Sequence, residues 1–268
     1  MTTWQAILLG ILQGLTEFLP VSSSGHLVIV PYLLGWPDPG LAVDAMLHLG
    51  TLLAIVVFFW ADIWRLVKAA VVSLQRRSLA DPDSRIAWGL VVATIPGALL
   101  GFFFEDLFER LFGMPRAAAA FLLVTALLLI LSEVMSKRFR PIAALSWLDA
   151  LLIGLAQSLA IAPGISRSGS TIAAGMLLGF HREEAARFSF LLAIPITFGS
   201  GAFQLLKLLT GTPVMAAPAV VLSGMVAAAV AGYLAIAALL ALVRRQSLLV
   251  FAVYCGVLGL AVLTGLLG

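Results

Sequence analysis

Charged residues are scarce in this chain. Only 11% of its 268 residues are charged, whereas 62% are hydrophobic. Soluble domains carry about 25% charged residues, so this composition excludes an ordinary soluble domain. It predicts an all-α, polytopic membrane protein in which several apolar helices cross the bilayer.

Cysteine is almost absent as well. The single Cys255 excludes an intrachain disulfide and any cysteine-based metal site. The start Met1-Thr2-Thr3-Trp4 also lacks the basic region and cleavage site of a signal peptide, so none is expected. We therefore expect the first apolar stretch to remain in the mature protein.

Ten apolar segments follow one another along the chain. A membrane span needs roughly 17 to 25 residues, and six segments can meet that need: residues 44–60, 86–104, 117–131, 188–206, 218–243 and 248–267. The four shorter segments are residues 4–19, 26–34, 147–161 and 172–180. We expect these to pair as two re-entrant helical hairpins, since irregular backbone at membrane depth must be buried in protein or line a wet cavity.

The basic residues predict the orientation of this layout. Twelve lie on one side of the six spans: Arg65, Lys68, Arg76, Arg77, Arg85, Lys137, Arg138, Arg140, Arg182, Arg187, Arg244 and Arg245. Three lie on the other side, namely Arg110, Arg116 and Lys207. The positive-inside rule then makes residues 61–85 the largest cytoplasmic loop, puts Gly40, Glu109 and Gly211 outside, and leaves both termini outside. This distribution indicates membrane topology rather than a nucleic-acid-binding patch.

The chain also repeats itself. Gly14, Glu17 and Leu19 match Gly154, Gln157 and Leu159, and Ser22, Ser24 and Gly25 match Ser166, Ser168 and Gly169. Residues 1–140 and 141–268 are therefore interpreted as two copies of one unit within a single integral membrane domain. Each copy would hold one hairpin and three crossings. Because three is odd, the copies insert with opposite topology and their hairpins can meet near the membrane midplane.

The second hairpin contains an arginine at membrane depth. Arg167 lies in the polar run 162–171, between two apolar segments. Pro163 and Gly164 are expected to end one helix, and Ser166 or Ser168 to cap the next. A helix N-terminus with hydroxyls and a guanidinium suits an anion with several oxygens, such as phosphate. The alternative is structural: Ser and Gly pack the helices closely while Arg167 pairs with a buried carboxylate.

The first hairpin contains an acid and a histidine. Gln13 and Glu17 are four residues apart and so share a helix face. Glu17 could bind Mg²⁺ or Ca²⁺, with Gln13 as a neutral second ligand, or form a structural pair with Arg167. His26 could act as a base, attack phosphorus, protonate a leaving oxygen or simply satisfy hydrogen bonds. His48, on a crossing helix, is given no functional role.

With both polar clusters in view, the chain resembles the bacterial undecaprenyl-diphosphate phosphatase family, known for bacitracin resistance. The family's (E/Q)-x-x-x-E element is present at residues 13–17 and runs into Pro20-Val21-Ser22-Ser23-Ser24-Gly25-His26. The P-G-x-S-R-S-x-x-T element is present at residues 163–171. Gln13 replaces the glutamate that many relatives carry.

The resemblance implies removal of the terminal phosphate from a C55 polyprenyl diphosphate, which regenerates the lipid carrier of peptidoglycan synthesis. It further implies a divalent cation, and a site that opens to the outer face of the cytoplasmic membrane. We assign the cation to Glu17 and Gln13, and leave Ser23, His26 and water open as the attacking group. Phosphate binding is assigned to Ser22, Ser166, Arg167, Ser168 and Thr171.

Two other functional classes remain. Inverted repeats with half-helices that meet at midplane are also the architecture of secondary transporters, so a lipid-phosphate flippase is the alternative. A purely structural scaffold would leave Glu17, His26 and Arg167 unexplained. The expected partners are a polyprenyl diphosphate and membrane lipid, with a homodimer as an open option.

Overall fold

A computed structural model describes residues 1–37, 39–209 and 217–266. Within these ranges the chain forms helices and no β-strands, which confirms the predicted all-α fold class. The helices are α1 (Thr3–Phe18), α2 (Ser23–Leu33), α3 (Leu41–Phe58), α4 (Trp60–Arg76), α5 (Pro82–Phe103), α6 (Glu105–Phe112), α7 (Pro115–Met135), α8 (Trp147–Leu159), α9 (Arg167–Leu177), α10 (Arg182–Leu209), α11 (Pro218–Val243) and α12 (Leu249–Leu263). Gly211 and Leu267, which the predicted layout uses, lie outside the described residues.

Among the residues that the structure describes, four helices are long and apolar enough to cross a membrane by themselves. They are α5, α7, the first 21 residues of α10, and α11. A fifth crossing is possible where α3 and α4 together form one bent pair, with an angle of 78° between them. The sixth predicted crossing corresponds to α12, whose 15 residues form a shorter apolar helix.

The predicted loop 61–85 is largely helical instead. Helix α4 occupies most of it, and Asp81 caps the start of α5 by accepting a hydrogen bond from the Asp83 N–H. Trp60, Trp64 and Val67 are exposed and lie three to four residues apart on one face of α4. An apolar face beside basic residues is typical of a helix that lies in the membrane interface. Span length alone could not reveal this helix, because its apolar residues are periodic rather than continuous.

The two predicted hairpins are present as the pairs α1–α2 and α8–α9. Helix α1 packs along α11, and α8 packs along α5. Glycines allow both approaches: a Cβ on Gly14 would lie 2.5 Å from the Ala228 carbonyl oxygen, and one on Gly154 would lie 2.5 Å from the Ala93 carbonyl oxygen. Equivalent positions of the proposed repeats therefore make equivalent close contacts. The boundary near residue 140 stays a prediction, which this packing supports.

Many of the basic residues form ion pairs with acidic residues at one end of the helix bundle. Asp62 binds Arg187 at 2.7 Å, and Glu133 accepts hydrogen bonds from Arg138 and Arg182 at 2.9 and 2.6 Å. Further pairs there join Arg140 to Asp149, Arg244 to Glu183, and Arg65 to Asp62 and Asp83. These contacts connect the starts of α4, α5, α8 and α10 with the end of α7 and the residue that follows α11. We call this region the basic end.

We call the turns between the paired helices, residues 19–22 and 160–166, the first and the second hairpin tip. The hydrophobic core lies between these tips and the basic end. Phe18, at the end of α1, meets Phe190 of α10 in an edge-to-face contact with ring centroids 5.5 Å apart. Phe59 lies 6.1 Å from the same Phe190 ring and is buried as well. Such aromatic pairs contribute about 0.5 to 1.5 kcal/mol beyond the burial of their apolar area. This packing fixes the end of α1, and so the position of the polar turn that follows it.

Candidate functional site

The tips of the two hairpins meet in the middle of the molecule. The Gly164 N–H donates a hydrogen bond of 3.1 Å to Ser22 Oγ, across 142 residues of sequence. A Cβ on Gly25 would lie 2.9 Å from Gly164 Cα, so only glycine fits this approach. Thr125 of α7 holds the second tip: its Oγ1 donates to the Gly164 carbonyl at 2.8 Å and accepts from the Ser166 N–H at 2.9 Å.

Serines cap both helices that start at this junction. Ser22 Oγ accepts from the Gly25 N–H at 3.2 Å, and Ser166 Oγ accepts from the Gly169 N–H at 3.0 Å. Ser166 is thus the cap that the sequence left open between Ser166 and Ser168. Ser22 has a φ of 69°, which is uncommon for a residue other than glycine. The N-termini of α2 and α9 therefore face each other and add two positive dipole ends to one site.

Glu17 is the acid at the centre of this junction. Its Oε1 accepts a hydrogen bond from Arg167 Nη2, which is the direct pairing that the sequence predicted as one alternative. Its Oε2 accepts from Ser23 Oγ and, at 3.0 Å, from Gln13 Nε2. The carboxylate is buried but has a partner on each oxygen, as a buried charge requires.

Arg167 keeps one donor unused. Its Nη1 is buried and has no hydrogen-bond partner among the residues that the structure describes. Nη2 is engaged with Glu17, so the guanidinium is held in place while its second nitrogen remains available. An oriented, unpaired guanidinium N–H beside two helix N-termini is well suited to a phosphate oxygen.

A cavity of about 260 Å³ lies at the junction. Both hairpin tips form its wall together with α3, α5, α10 and Phe112 at the end of α6. The lining residues are Glu17, Ser22, Ser23, Ser24, Ala45, His48, Gly97, Phe112, Gln157, Ala160, Ile161, Ile165, Ser166, Arg167, Ile196, Thr197 and Ser200. Glu17, Ser22, Ser23, Ser166 and Arg167, all predicted site residues, are thus brought together around one space.

Two predicted phosphate ligands lie outside this lining. Ser168 Oγ donates to the Leu19 carbonyl at 3.2 Å, which fastens α9 to the first tip. Thr171 Oγ1 donates to the Arg167 carbonyl at 2.8 Å and forms a hydrogen bond of 2.6 Å with Ser189 Oγ. These contacts hold α9 in the bundle. The assignment of Ser168 and Thr171 to phosphate stays a prediction.

His26 also lies outside the cavity lining. Its Nδ1 is 2.7 Å from the Ser22 carbonyl oxygen, so Nδ1 carries the proton and donates it. Its Nε2 then accepts from the Tyr254 hydroxyl at 2.7 Å. The two rings are stacked with centroids 5.6 Å apart and an angle of 6° between them. In this arrangement His26 joins the first tip to α12, and a catalytic role for it stays a prediction.

Two cavity residues were missed as functional candidates from the sequence. His48 lies on α3 with its Nε2 3.5 Å from Glu17 Oε2. Gln157 occupies the repeat position of Glu17, and its buried Oε1 has no partner within the described part of the chain. The signal that could have found His48 is its position inside an apolar span, where an ionisable residue is costly and usually functional.

The donor set fits a divalent cation. Glu17 supplies a carboxylate, and Gln13 has a buried Oε1 without a partner among the described residues. No group of three or more His, Cys, Asp or Glu side chains able to hold a metal occurs in those residues. Mg²⁺ commonly binds through one or two protein oxygens, with water and substrate phosphates as its other ligands. The site therefore suits a cation that binds together with a phosphorylated substrate.

Comparison with known proteins identifies the family of the chain. The family described as "Bacitracin resistance protein BacA" matches residues 6–261. A protein named undecaprenyl-diphosphatase from Thermomicrobium roseum is 45% identical over 272 residues, with 98% of each chain covered. Proteins of the same name from Methanosphaera stadtmanae and Pelobacter propionicus are 44% and 42% identical, with 95% and 100% of each chain covered. Because these matches extend over nearly its whole length, the chain belongs to the bacitracin resistance protein BacA family.

Proposed function

We propose that this protein hydrolyses undecaprenyl diphosphate to undecaprenyl phosphate and inorganic phosphate. One observation carries the proposal: Ser23, Glu17 and Arg167 line a single cavity where two helix N-termini meet, and Nη1 of Arg167 has no partner among the described residues. The relatives named undecaprenyl-diphosphatase support the choice of substrate. The product is the lipid carrier of peptidoglycan synthesis, and its renewal accounts for bacitracin resistance in the family.

Ser23 is the proposed nucleophile, because its Oγ lines the cavity and already donates to Glu17 Oε2. As Ser23 Oγ bonds to the terminal phosphorus, its proton passes to Glu17 and the bond to the bridging oxygen of undecaprenyl phosphate breaks. Water then hydrolyses the seryl phosphate, which releases inorganic phosphate and restores Ser23. Arg167 and the N–H groups at the starts of α2 and α9 stabilise the charge of the transferring group.

A divalent cation is proposed at the Glu17 carboxylate. Bound there, it would neutralise phosphate charge, which is what phosphoryl transfer mainly requires of an enzyme. Glu17 would hold it and Gln13 would orient Glu17 through the hydrogen bond of 3.0 Å. Within the described residues, a lipid flippase has no specific observation in its favour, since transport needs neither a serine paired with an acid nor an oriented guanidinium.

The site is proposed to open to the outer face of the cytoplasmic membrane, with both termini on that side. Support comes from the cavity lining: Ala45 lies early in α3, and Gly97 and Ser200 lie late in α5 and α10. Each of these positions is far from the basic end, which the positive-inside rule assigns to the cytoplasm. The phosphates of a lipid in the outer leaflet could then reach Arg167.

Phosphate release from undecaprenyl diphosphate by the purified protein tests the function. We expect turnover in detergent that a chelator abolishes and that added Mg²⁺ or Mn²⁺ restores. The Ser23→Ala variant should bind the substrate and release almost no phosphate, while Ser24→Ala, one residue further along the same cavity wall, serves as the matched control. Absence of phosphate release by the wild-type protein with any divalent cation would refute the proposal.

A further inference from the structure

His48 is held so that one ring nitrogen faces Glu17. Its Nδ1 lies 2.8 Å from the Asp44 carbonyl oxygen, one turn earlier on α3. A carbonyl can only accept, so Nδ1 carries a proton, and in the neutral imidazole Nε2 then presents its lone pair. That Nε2 is 3.5 Å from Glu17 Oε2 and lies on the cavity wall.

Two electron-rich atoms therefore face each other across a short gap. A neutral Nε2 and a carboxylate oxygen repel unless a positive centre, either a proton on Nε2 or a bound cation, lies between them. A divalent cation with ligand bonds of about 2.1 to 2.4 Å would place neighbouring ligand atoms about 3 to 3.4 Å apart. The observed 3.5 Å is close to this range. The pair could therefore share one cation, beside the hydrogen bonds that Oε2 accepts from Ser23 and Gln13.

We propose that His48 Nε2 and Glu17 Oε2 together bind the divalent cation, and that His48 rather than Gln13 is the second protein ligand. This inference rests on the proposed function, since it concerns the cation of the same site. Histidines that bind metals usually donate their other ring N–H to a carbonyl or carboxylate, which fixes the tautomer. The hydrogen bond from Nδ1 to Asp44 is such a contact.

Gln13 has a different position. It is fully buried, does not line the cavity, and directs its Nε2 to Glu17. It therefore orients the carboxylate from behind, as a positioning residue. His48 reaches the cavity itself, with 27% of its side chain exposed.

An imidazole ligand changes which metals are preferred. Calcium favours sites made only of oxygen atoms, whereas Mn²⁺, Co²⁺ and Zn²⁺ accept imidazole nitrogen readily. A site of one carboxylate and one imidazole should therefore bind Mn²⁺ better than Ca²⁺. Gln13 in place of His48 would give an all-oxygen site without this preference.

Mn²⁺ binding to the purified full-length protein in detergent, without substrate, tests the assignment. Pulsed electron paramagnetic resonance detects nitrogen bound directly to Mn²⁺, and the chain has only three histidines, His26, His48 and His181. We expect the nitrogen signal in the wild-type protein and in His26→Gln and His181→Gln. It should vanish in His48→Gln, together with at least a tenfold loss of Mn²⁺ affinity. Gln13→Ala should keep the nitrogen signal.

A competition experiment on the wild-type protein needs no variant. We expect Ca²⁺ to displace Mn²⁺ only at an excess of tenfold or more. An unchanged nitrogen signal or Mn²⁺ affinity in a folded His48→Gln protein would overturn the inference and leave His48 as a simple partner of Glu17. Phosphate release is measured in parallel. If turnover depends on a cation but Mn²⁺ shows no bound nitrogen, only the assignment of His48 as a ligand is refuted. If no turnover is found, the proposed function itself is refuted.

Discussion

At the scale of single residues, the two carboxylate oxygens of Glu17 have different partners. Oε1 accepts a hydrogen bond from Arg167, whereas Oε2 accepts one from Ser23 and faces His48. One carboxylate thus contacts the guanidinium proposed to bind phosphate, the proposed nucleophile and the proposed cation site. Loss of its charge should affect all three.

We expect Glu17→Gln to lower turnover by about a hundredfold or more, because an amide accepts no proton from Ser23 and is a poor cation ligand. Phosphate release is measured at rising Mg²⁺ concentration, which should not restore the wild-type rate. Size-exclusion chromatography in detergent checks that the variant still folds. A rate equal to that of the wild-type protein would reduce Glu17 to a structural partner of Arg167.

Arg167→Lys separates catalysis from simple charge pairing. Lysine can keep the ion pair with Glu17, but its ammonium cannot also present the second, rigidly oriented N–H of a guanidinium to a phosphate oxygen. Turnover should fall by more than tenfold, a barrier increase above about 1.4 kcal/mol, while thermal unfolding changes little. Substrate affinity should fall less than turnover, since part of the contact strengthens only in the transition state. Retention of most of the activity would favour a structural role.

The sequence was informative about the site wherever a residue was unusual for its surroundings. Glu17 and Arg167 are charges in apolar stretches, and the structure pairs them. The direction of a side chain was not predictable, because it depends on contacts between distant helices. His26 turns to Tyr254, 228 residues away, whereas His48 turns to the cavity. The spacing of residues along the chain does not predict the direction of either histidine side chain.

At the scale of helices, close packing of α1 on α11 fixes the depth of the first tip. Gly14→Ala should lower the free energy of unfolding by about 1 to 3 kcal/mol, because the added methyl group meets the α11 backbone. Gly199→Ala is the matched control, since a Cβ there has no heavy atom within 4 Å. Thermal unfolding in detergent compares the two. Equal stability of both variants would contradict the packing argument.

Helix lengths were predicted well where apolar runs are continuous and poorly where they are periodic. Helices α5, α7 and α11 follow runs that composition alone reveals. Helix α4 alternates tryptophan and valine with basic residues, so a search for apolar length passes over it. The 78° bend between α3 and α4 also escaped prediction, because no proline or glycine marks it.

At the scale of the whole molecule, the basic end makes the topology testable. Cysteines introduced at Arg76 and Arg138 should resist a membrane-impermeant thiol reagent in intact cells, whereas cysteines at Gly40 and Gly113 should react. The native Cys255 is fully buried and gives no background. Labelling at position 76 from outside would reverse the proposed orientation.

The contact between the hairpin tips has a consequence for biosynthesis. Glu17 and Arg167 are 150 residues apart, which a ribosome needs about 8 to 30 s to translate at 5 to 20 residues per second. During that interval the acid of the nascent first hairpin has no guanidinium, and an unpaired carboxylate in the bilayer centre costs about 3 kcal/mol. We therefore expect the first hairpin to reach its final depth only after the second half of the chain has been inserted.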